Sequence, residues 1–537
     1  MTRIELRRPV IAAWAALAAV PVVAMIVEVL RAPRLHFLDY WQILSYASNP
    51  DGSLSIGGLT KLHNEHPITL SGLLFWLDAR ILGGSNNVLG ILNIVLVGAT
   101  VFALYRMLPA RLDLTRLDMT KKAGLVTAYT FLLYSSGALE VFGMSMSGAS
   151  FLLGIVPSVF AILCAHRGRT IPALVLAVVG SLGHGTAFAV WPALALVAWL
   201  RRDERWRVVT PLAAGVVIIV GWLALPKPVT TPGPGGAFGF DTVLAAAAGA
   251  LSPLRITDGA PVAMAVGALV AVTIIGLGVL TARDRDAEHA GWLGVGTLAL
   301  GAAAMIGLSR VDYGATIGLA SRYATIAGLA GCAALTLVVL RVRALNATAA
   351  AALACAVAGV TFAAGSPEAT NVRNQYPNQQ LLAAAMRVEA NTVVASNRTS
   401  PSVIGLTRAM HAYPFSGSYT LDCGGAEIGS RVTLASVRTL HGSGNGGHID
   451  SGPVRGGTPI VGWAVVGNER ADCVIVVDRV GTVVGGGYVD VARPDIPSAA
   501  GLPEQRSGFK AVADPRTTGG VVLVRSGGEF YQVSAPG

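Results

Sequence analysis

The chain has 537 residues, of which 53% are hydrophobic and only 13% are charged, and its formal net charge is +10. Soluble domains carry roughly 25% charged residues, so we expect much of this chain to be solvated by lipid rather than by water. The positive charges lie in short clusters between apolar runs rather than on one dense basic face, which argues against nucleic acid as a partner.

The chain begins with the basic stretch "MTRIELRR", and an apolar run follows at residues 9–30. A run of about 22 apolar residues is long enough to cross about 30 Å of hydrocarbon. No cleavage site of small residues follows it. We therefore predict an uncleaved first span with the N-terminus on the cytoplasmic side.

Residues 31–85 alternate polar and apolar pieces and are predicted to form an exterior loop. Its last part, "LSGLLFWLDARILGG", is short and contains Asp78 and Arg80, so we expect an interfacial or re-entrant helix there. The stretch "LTKLHNEHPITLSG" before it concentrates polar side chains. His63 and His66 would share one face of a helix, as a zinc pair requires. Pro67 disfavours helix at the preceding residue, so we predict no metal site.

Ten further apolar runs raise the predicted number of spans to about eleven. Five basic loops, "RMLPARLDLTRLDMTKK", "HRGR", "RRDERWR", "ARDRD" and "RVR", then all fall on the cytoplasmic side, and residues 226–260 and 309–317 fall outside. If the two runs that flank "GHG" formed one span, every later loop would be predicted on the opposite side of the membrane, and its basic loops would lie outside. The predicted spans lie near 86–106, 123–139, 148–165, 170–182, 185–200, 208–225, 261–281, 290–308, 318–340 and 347–364.

An odd number of spans places the C-terminal part outside. The sequence therefore predicts an α-helical polytopic membrane domain at 1–364 and an exterior, mainly β domain at 365–537. The latter opens with a helix at 378–390. Short strand-like runs separated by Gly, Pro, Asp and Ser favour a β-sandwich. These runs lie at 431–437, 459–466, 472–480, 487–492, 519–525 and 529–534.

The five cysteines fall into two groups. Cys164, Cys332 and Cys355 lie in apolar runs and are typical of small buried hydrophobic residues. Cys423 and Cys473 lie in the polar C-terminal part, and no CxxC motif indicates a zinc or redox site. An exterior location permits a Cys423–Cys473 disulfide, and the sequence leaves open whether it forms.

Ionisable residues near the predicted outer membrane face are the main functional candidates, because polar groups at this depth are costly. Helix caps, interfacial contacts, buried packing and snorkelling anchors are the structural alternatives. A carboxylate takes a proton from a hydroxyl and an arginine binds phosphate, which together suit group transfer from a phosphate carrier. The candidates are Asp39, Lys61, His63, Glu65, His66, Glu140, His184, Arg310, Arg322 and Tyr323.

The layout of the whole chain resembles the GT-C glycosyltransferases, which are integral membrane enzymes that use polyprenyl-phosphate sugars. The local matches are "LDYW" with Asp39, "HNEHPI" with Glu65 and "SRY" with Arg322. The resemblance implies that Asp39 is the catalytic base and that Arg322 holds the lipid phosphate. It also implies that Glu65 binds the acceptor or, in some members, a metal, so a divalent metal stays open while no other cofactor is expected.

We further predict that His63, His66, Glu140 and His184 help bind the acceptor. Lys61, Arg310 and Tyr323 would help bind the donor phosphate. The donor would be a polyprenyl-phosphate sugar, with arabinose, mannose or galactose as options, and the acceptor an envelope glycan or glycolipid. The site would face the exterior of a bacterial cytoplasmic membrane, with the loop 226–240 as a lid.

The tail "GWAVVGNERADCVIVVDRVGTVVGGGYVDVARPD" looks like a β-sandwich module attached to bacterial envelope glycosyltransferases. That resemblance leaves open whether the module binds glycan or braces the catalytic domain. Two other function classes stay open. One is a transporter or flippase of lipid-linked glycans, which would show broken spans and charges at the bilayer midplane. The other is a non-catalytic scaffold that presents the C-terminal domain to wall glycan.

Overall fold

The structure of the chain is a computed structural model that describes residues 7–109, 119–226, 239–284, 286–341, 347–440, 442–502 and 504–534. It divides into two compact units. The first unit consists of Met1–Ala32, Ile56–Leu73 and Leu89–Arg373, and the second of Pro33–Ser55, Leu74–Val88 and Asn374–Gly537. The predicted first exterior loop therefore contributes residues to both units.

Most of the described chain is helical. The helices that precede the C-terminal part are α1 (Arg7–Arg31), α2 (Asp39–Ala47), α3 (Ile56–Leu59), α4 (Thr69–Ile81), α5 (Asn86–Met107), α6 (Met119–Leu133), α7 (Leu139–Gly143), α8 (Ser145–His166), α9 (Thr170–Gly183), α10 (Val190–Leu200), α11 (Arg205–Ala224), α12 (Phe240–Leu251), α13 (Ala260–Asp284), α14 (Ala290–Ser309), α15 (Ala324–Arg341), α16 (Ala347–Ala364) and α17 (Ser366–Arg373). The remaining helices are α18 (Tyr376–Arg387), α19 (Asn391–Ser396), α20 (Val403–Ala409) and α21 (Asp495–Ala500).

Eight helices in the described part of the chain are long and apolar enough to cross a membrane, and a ninth is added if α6 and α7 form one bent span. Only 11% of the apolar window of α1 and of α11, and 17% of that of α13, is buried. Apolar surface left exposed on this scale suits contact with hydrocarbon. The helices are therefore compatible with a multi-pass membrane protein.

Every predicted span contains a helix, although not every helix is long enough to span. The runs predicted at 170–182 and 185–200 form the shorter apolar helices Thr170–Gly183 and Gly185–Leu200. The predicted exterior loop 226–260 contains a shorter apolar helix, Phe240–Leu251. Its residues Leu244 to Ala250 are apolar or small, and Val243, Ala246 and Ala250 are buried.

The end of α9 lies very close to α8. A Cβ atom at Gly183 would lie 2.5 Å from the carbonyl oxygen of Leu153, so only glycine permits this approach. Nearby, the Asn93 side chain on α5 donates to the carbonyl oxygens of Val141 and Ser145, at 2.7 Å each. These contacts fix the helix ends that carry the polar side chains described below.

The C-terminal part of the second unit is built on one nine-stranded sheet, in the order β3-β11-β10-β7-β8-β9-β5-β4 with β6 paired to β5. A separate two-stranded hairpin, β1 (Leu62–His63) and β2 (His66–Pro67), lies in the first unit. The sheet strands are β3 (Arg438–Thr439), β4 (Gly446–Ile449), β5 (Pro459–Val466), β6 (Glu469–Arg470), β7 (Cys473–Val477), β8 (Val483–Val491), β9 (Gly508–Ala513), β10 (Val521–Ser526) and β11 (Glu529–Val533).

The described strands thus form a single curled sheet in place of the two packed sheets of the predicted sandwich. Its curvature brings the backbone N–H of Ile449 within 3.3 Å of the Ser534 carbonyl oxygen. One face buries Val474 and Val524 around Phe509. The opposite face of β7 and β10 buries the next residues along each strand, as the two-residue repeat of a strand requires.

The strand predicted at 431–437 is wrong. Only Arg431 makes an isolated bridge, to Thr482, and Leu434–Ser436 is a 3₁₀ turn. The apolar residues Val432 and Leu434 of this segment pack on the outer face of the sheet. The apolar and polar residues of this segment therefore alternate because it packs onto the sheet, not because it is one of the strands.

We call residues 421–437, whose apolar side chains pack on the sheet, the covering segment. The Cys423–Cys473 disulfide ties it to β7. Both cysteines are buried. The bond closes a loop with a sequence separation of 50, which removes on the order of 4 kcal/mol of chain entropy from the unfolded state. The covering segment is thereby fixed to the sheet covalently as well as by packing.

Two pieces of the predicted first loop pack against C-terminal residues within the second unit. The backbone N–H of Tyr413 donates to the Gly83 carbonyl oxygen at 2.8 Å. The Arg34 guanidinium donates to the Ser418 carbonyl oxygen at 2.9 Å. Residues on either side of α2 and α4 are therefore held by the same unit that contains the sheet.

Candidate functional site

The polar stretch 62–67 folds as a β-hairpin rather than as a helix or an extended loop. Leu62 pairs with Pro67 and His63 pairs with His66. Asn64 has a φ of 52°, a left-handed conformation that asparagine tolerates in tight two-residue turns. The hairpin places Glu65 in its turn and sets the two histidines side by side.

A first charged group forms where this hairpin meets the residue that follows α14. Arg310 Nη2 lies 3.0 Å from Glu65 Oε1 and 3.4 Å from His66 Nε2. The Trp222 indole N–H donates to the Glu65 carbonyl oxygen at 2.8 Å. The side chains of Arg310, Glu65 and His66 are 20%, 26% and 19% exposed, so the pair is held in a partly desolvated position.

His66 Nε2 lies between a donor and an acceptor, 3.4 Å from Arg310 Nη2 and 3.4 Å from Glu65 Oε1. Burial lowers the pKa of His66 well below its ordinary value, and the nearby His184, Arg310 and His63 lower it further. His66 is therefore neutral around pH 7 and offers one acceptor and one donor.

The lowered pKa makes a testable contribution to stability. Unfolded His66 takes up a proton below pH 6.5, whereas folded His66 does not, so the folded state loses stability as the pH falls through this value. At pH 5.5 the loss is about 1.4 kcal/mol. Thermal unfolding of the wild type and of His66→Gln at pH 7.5 and 5.5 measures it. The wild type is expected to lose this amount relative to the variant, and an unchanged difference contradicts the assignment.

A second charged group joins α7 to the start of α15. Arg322 Nη1 lies 3.3 Å from Glu140 Oε1, and the Arg322 backbone N–H donates to Oε2 at 3.2 Å. Ser147 Oγ donates to the same carboxylate at 3.0 Å, and the Arg322 guanidinium lies 5.3 Å from the Tyr323 ring centroid. Glu140 is 14% exposed and Arg322 36% exposed, so the guanidinium is oriented but accessible.

A row of rings connects the two charged groups within the first unit. His66 stacks on His184 with centroids 4.1 Å apart, and His184 lies 4.1 Å from Phe151. Phe151 in turn meets the Tyr323 ring edge-on at 5.5 Å. We call these four side chains the ring row. It begins beside Glu65 and Arg310 and ends beside Arg322 and Glu140.

His184 has its place in the row because α9 ends just before it. The His184 side chain accepts from the backbone N–H of Thr186 at 3.2 Å and caps the 3₁₀ turn Gly185–Ala189. A Cβ atom at Gly185 would lie 2.9 Å from His66 Nδ1. The "GHG" break therefore provides the space in which His66 stacks on His184.

Seven of the ten predicted site residues lie in these two groups or the row that joins them. Lys61 is exposed beside the hairpin, and His63 is buried within it at 7% exposure. Asp39 belongs to the second unit. Residues 227–238 of the predicted lid lie outside the described part of the chain.

Sequence reasoning missed Phe151, Ser147 and Trp222. Phe151 and Trp222 lie in apolar runs that look like ordinary spans, and Ser147 lies among the uncharged residues between Glu140 and the next predicted span. The only available signal was their position near the predicted outer ends of α8 and α11. Their roles follow from contacts with residues far away in sequence.

Asp39 is exposed and is the first residue of α2. The preceding residue, Leu38, has φ 49° and ψ −121°, a region that L-residues rarely adopt. On either side of these two residues, His36 and Tyr40 both contact Asp78, which is fully buried. We call His36, Tyr40 and Asp78 the Asp78 cluster.

Neither charged group suits a divalent metal. The Arg310 guanidinium already faces Glu65 Oε1 at 3.0 Å, and a second cation there would be repelled. Among the residues that the structure describes, no group of three or more His, Cys, Asp or Glu side chains is arranged to hold a metal ion. The first unit instead contains paired charges and stacked rings.

Comparisons of the chain with protein-family models, with curated proteins and with solved structures find no match.

Proposed function

We propose that the protein is an inverting, GT-C-like glycosyltransferase of the bacterial cytoplasmic membrane. It would move a sugar from a polyprenyl-phosphate donor to a hydroxyl of an envelope glycan or glycolipid on the outer face. The observation that carries the proposal is the pair of arginine–carboxylate groups joined by the ring row. The residues lie at 65–66, 140–151, 184 and 310–323, in or next to the loops that the charge pattern assigns to the exterior.

Arg322 is the best-supported ligand for the donor phosphate. Glu140 and Tyr323 fix the plane of its guanidinium, and its partial exposure leaves N–H groups for a phosphate oxygen. Arginine in a fixed plane binds phosphate through charge-assisted hydrogen bonds. Such bonds stabilise the lipid phosphate as it departs with the electron pair of the broken glycosidic bond. Lys61 and Arg310 would add positive charge.

The Glu65–Arg310 group and His66, at the more exposed end of the ring row, suit the acceptor. Sugar hydroxyls pair with neutral histidines and with carboxylates, and His66 supplies both a donor and an acceptor. The other three rings of the row are buried and support His66 by stacking. Glu65 and Glu140, with His63, His66 and His184, would orient the acceptor hydroxyl for attack.

Asp39 would act as the general base. Its carboxylate takes the proton of the acceptor hydroxyl while that oxygen attacks the anomeric carbon and the polyprenyl phosphate leaves. Attack opposite the leaving group inverts the anomeric centre. The exposure of Asp39 supports this role because the side chain is accessible to a substrate.

The test incubates the purified full chain in detergent with labelled polyprenyl-phosphate arabinose, mannose or galactose and an envelope glycan extract. The expected result is label in the glycan together with released polyprenyl phosphate. The absence of any new glycosidic bond with all three donors contradicts the proposal. A parallel incubation with EDTA tests the metal, and we expect the rate to be unchanged.

A transporter of lipid-linked glycans is the second candidate function. Two apolar helical segments are interrupted, one at His184 and one by a 44° bend between α6 and α7. Interrupted helices line substrate sites in transporters. In liposomes, a transporter moves the labelled lipid between leaflets without changing it, so the same labelled donors separate the two functions.

A further inference from the structure

The Asp78 cluster is a buried polar group of the second unit. His36 Nε2 lies 2.8 Å from Asp78 Oδ2, and the Tyr40 hydroxyl donates to that same oxygen at 2.8 Å. The His36 and Tyr40 rings stack with centroids 3.6 Å apart. His36 and Asp78 are 0% exposed and Tyr40 is 1% exposed. Two side chains four positions apart are thus attached to one carboxylate oxygen.

The chain between those two attachments is only three residues long. Phe37, Leu38 and Asp39 must therefore close a tight loop whose ends are both fixed to Asp78. The Trp41 indole N–H strengthens this closure by donating to the His36 carbonyl oxygen at 3.0 Å. The unfavourable backbone of Leu38 fits this picture, since such conformations persist only where the surroundings over-determine them.

A buried carboxylate with two donors is a poor way to gain stability alone, because apolar residues of similar volume serve equally well or better. It does fix geometry, since hydrogen bonds are directional. Burial and the adjacent Asp78 raise the pKa of Tyr40 well above its ordinary value. Tyr40 therefore remains a hydrogen-bond donor at every working pH.

We propose that the Asp78 cluster is a positioning device that fixes the backbone on both sides of Asp39 and so aims its carboxylate. This inference rests on the proposed function, in which Asp39 is the base. Displacement of a reacting group by about 1 Å can cost about 100-fold in rate. The three residues of the cluster act through Asp39 and need not touch the substrate.

The test compares Tyr40→Phe with Tyr46→Phe in the full chain. Both variants remove one phenol hydroxyl from α2, but the Tyr46 hydroxyl accepts from the exposed Gln42 amide and does not contact Asp78 in the way that Tyr40 does. Tyr40→Phe is expected to lower kcat about 10–100-fold with KM for the donor changed less than about twofold. Tyr46→Phe is expected to retain wild-type kcat.

The conservative variant of the carboxylate provides a second measurement. Asp78→Asn keeps an acceptor oxygen for the His36 and Tyr40 donors. Its kcat should therefore be higher than that of Asp78→Ala, while the KM for the sugar donor should be the same in both variants. Equal kcat in Tyr40→Phe and the wild type overturns the proposal. So does a kcat loss that parallels a loss of thermal stability across all variants. If Asp39→Asn remains active, the proposed function fails. If Asp39→Asn is inactive and Tyr40→Phe has the wild-type kcat, only the positioning role of the cluster fails.

Discussion

Replacement of Asp39 by asparagine is expected to lower the rate of sugar transfer by about 10²–10⁴-fold, the range over which general bases act. Asparagine has the same shape but does not accept the hydroxyl proton. Asp39 is exposed at the first turn of α2, where loss of a negative charge beside the helix N-terminus costs about 0.3–1 kcal/mol. The melting temperature and donor KM should therefore stay close to those of the wild type.

Asp51→Asn is the matched control for this variant. Asp51 is also an exposed carboxylate in the same segment of the second unit, and it accepts from the Ser53 backbone N–H and hydroxyl. Asparagine retains an acceptor for these bonds, so Asp51→Asn should transfer sugar at the wild-type rate. Near-normal transfer by Asp39→Asn would remove Asp39 from the mechanism.

Replacement of Arg322 by glutamine should raise KM for the polyprenyl-phosphate donor about 10–100-fold, because one or more hydrogen bonds to a charged group are lost. The same change leaves the mostly buried Glu140 carboxylate without its guanidinium partner, which destabilises the fold. The double variant Glu140→Gln/Arg322→Gln removes the unpaired charge. It should regain thermal stability while its donor KM stays high.

The Arg373–Glu28 ion pair supplies the control. It lies in the same unit, its atoms are 2.6 Å apart, and Glu28 is 14% exposed, as is Glu140. Arg373→Gln should therefore lower thermal stability to a similar degree without changing donor KM. Equal increases in KM for Arg373→Gln and Arg322→Gln would show that the effect is one of folding. An unchanged KM in Arg322→Gln would exclude Arg322 as the phosphate ligand.

The helices were predictable because each long apolar run permits little other than a buried or lipid-facing helix. The hairpin at 62–67 was not, since strands of two residues carry no periodic signal. The segment 431–437 shows the opposite error. Its alternating residues suggested a strand, but Val432 and Leu434 alternate because they cover a sheet that other residues form. Pattern alone does not distinguish these two cases.

The individual residues of the candidate site were predictable from the sequence, but the contacts between them were not. Costly polar groups near apolar runs identified Glu65, Glu140, Arg310 and Arg322. Which of them pair depends on contacts across sequence separations of 182 residues or more, and no local rule provides these. His36 was missed because its partner, Asp78, lies 42 residues away and resembled an interfacial acid on a short helix.

The bonds from Tyr413 to Gly83 and from Arg34 to Ser418 bear on how this chain can be recombined. A chimaera that exchanges only residues 374–537 would separate these partners and expose the surfaces that meet in the second unit. A functional chimaera requires that residues 33–55 and 74–88 are exchanged together with the C-terminal part. Three non-contiguous stretches of the chain thus have to be exchanged as one unit. A domain boundary placed from the sequence alone would exchange only the last of them.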